Sequence, residues 1–178
     1  MVPREQWCSD PLPGYQLRGP LRAIVVHHTD RASEQVADLH AELAYAREIR
    51  RFHLERGWLD IGYHFLVMPS GRIFVGRPSW AIGAHVRAHN RGTIGVALAG
   101  DFQVEYPTAA ALASIDSVRR VVPGARRVPL VAHGDLAEVT CPGENLYRAV
   151  SALRSTGEAD ATAAAPELAA AAAGSGRR

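Results

Sequence analysis

Short apolar runs rich in β-branched residues alternate along the chain with stripes of helical period. Leu21 to His27 is the first run, closed by the turn-forming Thr29 and Asp30, and it predicts a buried strand. From Ser33 to about Arg56 the positions Val36, Leu39, Leu43, Ile49 and Phe52 recur at helical spacing, with Ser33 as the cap, a break near Ala44 and Gly57 as the stop. The opposite side of that helix carries Glu34, Asp38, Glu42, Arg47, Arg50 and Arg51, which reads first as a solvated face and second as a surface for a polymer. Ile61 to Met68 then alternates, Pro69-Ser70-Gly71 supplies a turn and Arg72 to Val75 returns, predicting a hairpin. Thr93 to Ala99 is another strand, Ala109 to Val122 a helix ended by Pro123-Gly124, Val128 to Ala132 a strand, and Glu144 to about Leu153 a last helix with Leu146 and Val150 inward.

The two ends behave differently. Pro3, Pro11, Pro13, Gly14, Gly19 and Pro20 predict an irregular arm over residues 1–20, pinned by Trp7 and Tyr15. Beyond Ser155 the chain is mostly Ala, Gly, Thr and Glu, so residues 156–178 are expected to be a disordered tail or a fraying helix. Between them, residues 21–155 form the expected domain. A chain of 178 residues with 47% apolar and 21% charged content suits one globular unit with a sizeable core.

Charge narrows the partners only a little. A formal net charge of +2 and a pI near 8.8 slightly favour an anionic surface, a cell-wall polymer included, and fall short of a nucleic-acid signature. No run reaches the length of a membrane span, and MVPREQWCSD lacks the apolar core of a secretory signal, so synthesis as a soluble cytoplasmic protein is expected.

The chemistry centres on PLVAHGDLAEVTCPG, Pro129 to Gly143, where His133 and Cys141 stand eight residues apart after an apolar run. A zinc finger needs two close ligand pairs, and here a third ligand has to come from elsewhere. The donor is offered by Ile24-Val25-Val26-His27-His28, whose strand period sends the two imidazoles to opposite faces, so only one joins the site. Two histidines and a cysteine leave a tetrahedral zinc with an open position, the mark of a catalytic ion. Three blander readings stand beside this one: a hydrogen-bonded histidine with a buried cysteine, a Cys8–Cys141 disulfide, and Cys141 as a nucleophile with His133 or His27 as its base. His40 and His53 read as partly exposed or core-capping residues of the helix, and the loop holding Trp80, His85, His89 and Asn90 is rich in groups that bind amides and sugars.

Taken together, VVHHT, RGWLDIGYHF, GRIFVGR, GAHVRAHN, IGVALAGDF, AHGD and TCPG resemble the zinc-dependent N-acetylmuramoyl-L-alanine amidases of the type 2 amidase and peptidoglycan-recognition-protein superfamily, with the small phage amidase lysozymes as the closest likeness. The resemblance covers about Leu21 to Val150 and implies an α/β fold with a central mixed β-sheet flanked by helices and zinc in a surface groove. It implies His27, His133 and Cys141 as metal ligands, Tyr63 as the catalytic tyrosine, and Trp80, His85 and Asn90 as groove residues holding the muramyl-peptide stem. The implied activity is hydrolysis of the amide between N-acetylmuramic acid and L-alanine by a monomer acting on peptidoglycan, without nucleic acid or membrane. One position departs from the pattern: where phage enzymes carry a lysine and recognition-protein amidases a threonine, this chain has Val139, which neither donates a hydrogen bond nor carries charge. Alternatives within the resemblance are a recognition protein that binds without cutting, which typically lacks the thiol, and a cytoplasmic amidase that recycles soluble muropeptides.

Overall fold

The computed structural model of the chain describes residues 1–34, 36 and 38–157, and the tail expected to be disordered falls outside them beyond residue 157. Among the described residues five strands form one sheet: β1 (Ala23–His28), β2 (Phe65–Val67), β3 (Ile73–Val75), β4 (Thr93–Leu98) and β5 (Leu130–Ala132), in the order β3-β2-β4-β1-β5. The hairpin β2–β3 is antiparallel and the other pairs are parallel, so the sheet is mixed. Every residue of β1 and β4 is buried. Strands covered on both faces have no solvated side to alternate with, which is why they read as unbroken apolar runs.

Among the described residues three α-helices do the covering: α1 (Leu39–Glu55), α2 (Ala109–Val121) and α3 (Glu144–Gly157). On one face Ile24, Val26, Ile94, Val96 and Leu98 pack with Ile115 and Val118 of α2 and with Leu146 and Val150 of α3. On the other, Leu66, Met68 and Ala97 meet Tyr45, Ala46 and Ile49 of α1 together with Val2 and Trp7 of the arm. The arm also covers the edge of the sheet, because the Val2 N–H donates to Ile73 O at 2.7 Å and the Val75 N–H donates to Val2 O at 3.0 Å. Trp7 pins it by donating its indole N–H to Val75 O at 2.9 Å.

Three expectations need correction. Helix α1 begins at Leu39 and runs without a break: Asp38 caps it by accepting the Ala41 N–H at 2.8 Å, while Ser33 donates its hydroxyl to Glu105 at 2.6 Å. The expected polar side is solvated at Glu34, Asp38, Arg47 and Arg51 but not throughout. Glu42 is fully buried against Ser70 and Arg72 of the hairpin turn, Arg47 donates to Trp7 O at 2.9 Å, and Arg50 reaches Asp60 at 2.6 Å and Asp10 at 2.8 Å. The arm and the hairpin turn lie over part of that side, where they tie Glu42, Arg47 and Arg50 to the rest of the fold. The hairpin, finally, is regular only from Phe65, so Ile61 to His64 is an irregular lead-in.

Candidate metal centre

β1 and β5 run in parallel with Ile24 beside Leu130, Val25 beside Val131 and Val26 beside Ala132. The next positions in that register are His27 and His133, so two histidines far apart in the chain emerge side by side at the carboxyl ends of adjacent strands. Open α/β sheets build their ligand sites there. Alternation along β1 puts His27 on the face that carries Ala23 and Val25, and His28 on the face that carries Ile24 and Val26. His133 opens a short 3-10 turn, His133–Asp135, closed by Asp135 accepting the Ala132 N–H at 2.7 Å. Tyr147 of α3 donates to the same carboxylate at 2.9 Å and Arg154 pairs with it, so the last helix braces the turn that presents His133. The loop that leads into α3 brings Cys141.

The three side chains converge. His27 Nδ1 lies 3.1 Å from His133 Nδ1 and 3.6 Å from Cys141 Sγ, and the three ligand atoms all fall within 4.8 Å of one another. Zinc bonds of about 2.0–2.1 Å to nitrogen and about 2.3 Å to sulfur place tetrahedral donors roughly 3.3 to 3.6 Å apart, so the donor set and its spacing fit that ion with one position to spare. Burial pushes the His27 imidazole well below its ordinary value, helped by the neighbouring His85 and His133, so the ring is neutral and has a lone pair to offer. Burial also pushes the Cys141 thiol up to about 12. Such a thiol stays protonated near neutrality, which disfavours Cys141 as a free nucleophile; only a bound cation would draw the proton off. Both cysteines are free, so the Cys8–Cys141 disulfide is absent.

These residues stand in a groove of about 530 Å³ whose wall also includes Tyr63, His53, Arg56, Trp58, Val139 and Thr140. The Tyr63 ring lies 5.3 Å from the ring of His27 and 5.3 Å from that of His53. Burial, and then the nearby Cys141, hold its hydroxyl above the ordinary tyrosine value, so it remains an O–H donor. His64, next in sequence, turns into the core, where it accepts the Gly95 N–H at 2.9 Å. His53 was read as a bland helix residue, yet it stacks on Trp58 at 4.5 Å and its Nδ1 accepts the Gly62 N–H at 3.0 Å, setting the wall beside Tyr63. Its spacing on α1 carried no sign of this, since the partner arrives from the loop beyond the helix. His28 also borders the groove, but its ring points to the Phe102 N–H at 3.3 Å and lies 3.9 Å from Asp30 and from Asp101, apart from the His27 cluster.

Of the three residues expected to hold a peptide stem, one borders the groove and two lie outside it. Trp80 is half exposed, sits edge-on to Tyr15 at 6.2 Å and does not line the groove. Asn90 is outside it too, its carboxamide oxygen accepting the backbone N–H groups of His85 at 2.7 Å and Val86 at 2.9 Å. His85 borders the groove but is buried, with Nδ1 3.0 Å from His27 Nε2.

Comparison with known proteins agrees with the fold. The sequence profile of the N-acetylmuramoyl-L-alanine amidase family matches residues 17–144. The chain is 35% identical over 153 residues to the N-acetylmuramoyl-L-alanine amidase of Sus scrofa, covering 82% of this chain and only 26% of that longer protein. It is 33% identical over 141 residues to the endolysin of Enterobacteria phage T3, covering 75% of this chain and 88% of that one. Among solved structures, peptidoglycan recognition protein-LE in complex with tracheal cytotoxin, a monomeric diaminopimelic acid-type peptidoglycan, superposes with a TM-score of 0.74 at 30% identity over 85% of this chain and 92% of that chain.

Proposed function

The chain belongs to the N-acetylmuramoyl-L-alanine amidase family, and from that premise we propose that it hydrolyses the amide between N-acetylmuramic acid and L-alanine in peptidoglycan as a zinc-dependent, wall-lytic enzyme. The observation that carries the reading is the meeting of His27 Nδ1, His133 Nδ1 and Cys141 Sγ on one wall of a groove that Tyr63 also borders. His27, His133 and Cys141 would hold the ion, which supplies Lewis acidity and an acidified water when bound.

The chain's own residues supply the rest. The neutral imidazoles keep lone pairs on the side facing the groove, and Cys141 would hold the ion as its thiolate, the thiol proton passing to solvent. Tyr63, held protonated, donates its hydroxyl hydrogen to the carbonyl oxygen of the substrate as negative charge gathers there, a contact that strengthens in the transition state and so serves kcat more than KM. The stacked pair of His53 and Trp58 forms the adjoining wall, a flat surface against which a sugar or stem residue can lie. A peptidoglycan partner is supported by the likeness to a recognition protein crystallised with a peptidoglycan monomer.

A second reading, binding without cleavage, is favoured by Val139, which is half exposed on the groove wall and offers neither charge nor hydrogen bond. One experiment separates the two. Purified wild type and Cys141→Ala are assayed for zinc content by mass spectrometry and for release of stem peptide from cell walls, with and without chelator. About one zinc per chain and chelator-sensitive release, both lost in the variant, are expected. Wall binding without release by a zinc-loaded sample would refute the enzyme.

A further inference from the structure

His85 borders the groove, yet its ring is buried and held from within the fold. Its backbone is fixed by Asn90 and its ring lies in a slot cut by two glycines: a Cβ on Gly83 would fall 2.3 Å from His85 Cδ2, and one on Gly95 would fall 2.5 Å from His85 Cγ. Gly95 sits inside β4, where a side chain would ordinarily favour the strand, so its absence marks a close approach that the imidazole fills. The edge of the His64 ring closes the slot at 5.6 Å.

The hydrogen bonds around that ring favour one arrangement of protons. The Thr93 hydroxyl lies 2.6 Å from His89 O, a carbonyl that only accepts, so the hydroxyl hydrogen is directed there. Its lone pairs then face His85 Nε2 at 3.4 Å, which makes that nitrogen the N–H of the ring and leaves His85 Nδ1 as an acceptor. His85 Nδ1 stands 3.0 Å from His27 Nε2, so the His27 hydrogen lies on Nε2 and its lone pair on Nδ1. That is the nitrogen turned toward His133 and Cys141.

Resting on the zinc reading above, we infer that His85 is a positioning residue for the metal centre: with Thr93 behind it, it holds His27 in the Nε2–H tautomer and at the ring angle that presents Nδ1 to the ion. This role acts through His27 and is distinct from the grip on the peptide stem that the resemblance implies for His85. Outer hydrogen bonds of this kind typically change metal affinity by about 10- to 100-fold.

The test measures zinc affinity by chelator competition, independently of turnover, in wild type, His85→Leu and His85→Asn. The leucine removes the acceptor while keeping bulk, and the asparagine returns an amide oxygen near the place of Nδ1. His85→Leu is expected to weaken zinc by about 10- to 100-fold, and His85→Asn to recover most of the loss. If zinc binds His85→Leu as tightly as wild type and only KM for wall fragments rises, His85 is a substrate contact and the inference is overturned. It is equally overturned if leucine and asparagine weaken zinc alike, since packing alone would then explain both. Should His85→Leu fail to fold, Thr93→Val decides: a severalfold loss of zinc affinity supports the relay, and no change overturns it. Wild type that takes up no zinc would remove the zinc reading itself, an outcome distinct from wild type that binds zinc regardless of position 85.

Discussion

Replacing Asp60 with Asn takes one negative charge out of a fully buried position where three hydrogen-bond donors and a further guanidinium meet. Tyr15 donates to its carboxylate at 2.5 Å, Arg50 Nε at 2.6 Å and the Ile61 N–H at 2.8 Å, and Arg4 Nη2 lies 2.8 Å away. These ties join the arm, α1 and the lead-in that carries Tyr63. An asparagine keeps one acceptor oxygen but turns an NH2 group toward donors, leaving Arg4 without its anion and Arg50 with one anion of two, at side-chain exposures of 7% and 16%. Breaking a buried pair costs about 3–5 kcal/mol. Arg50 retains Asp10 at 2.8 Å, which places the expected loss at the lower end, about 3 kcal/mol. At about 2–4 °C per kcal/mol for a chain of this size, Tm should fall by roughly 6–12 °C at pH 7, read by calorimetry.

The acid side supplies a second check on the same residue. Burial pushes the Asp60 carboxyl up, but the hydrogen bonds from Tyr15, Arg50 and the Ile61 N–H, with the Arg4 cation, outweigh it and hold the group below its ordinary value of 3.8. A folded value below the unfolded one means that the stabilisation is complete above the unfolded value and is lost as pH falls through the folded one. The gap in Tm between wild type and Asp60→Asn should therefore narrow below about pH 4. A drop under about 2 °C at pH 7, less than one kcal/mol would cause, would refute the account of this buried network.

Other outcomes follow from the same geometry. Tyr63→Phe should lower kcat by roughly 10²–10³, about 2.7–4 kcal/mol, with KM for wall fragments nearly unchanged; a rise in KM alone would assign the hydroxyl to binding. Zinc at 100 times its Kd should stabilise the protein by about 2.7 kcal/mol, raising Tm by roughly 5–11 °C, and Cys141→Ala should show no such rise in thermal melts. Gly95→Ala should cost about 1–3 kcal/mol in urea unfolding of the metal-free protein, because the new methyl collides with His85; unchanged stability would mean that the slot has slack.

The regular elements were largely legible in the pattern of apolar residues. β4 and α2 end within a residue of the readings from sequence, since both are bounded by Gly or Pro and both bury a continuous stripe. The split of His27 from His28 was legible too, because alternation along a strand is a local property. Glu42, Arg47 and Arg50 were not, for a helix pattern shows which residues are charged but not that the arm and a hairpin turn will lie over them. The failure to see His53 on the groove wall has the same origin: its stacking partner Trp58 belongs to the loop beyond the helix.

By itself, then, the sequence determined the kinds of atoms available for a metal and the strand ends on which two of them ride, since composition and period are written along the chain. That His27 and His133 become neighbours was decided by the parallel register of β1 against β5, and that His85 faces His27 was decided by the gaps left at Gly83 and Gly95. Both are relations between segments far apart in the chain, and only packing the sheet brings them into contact.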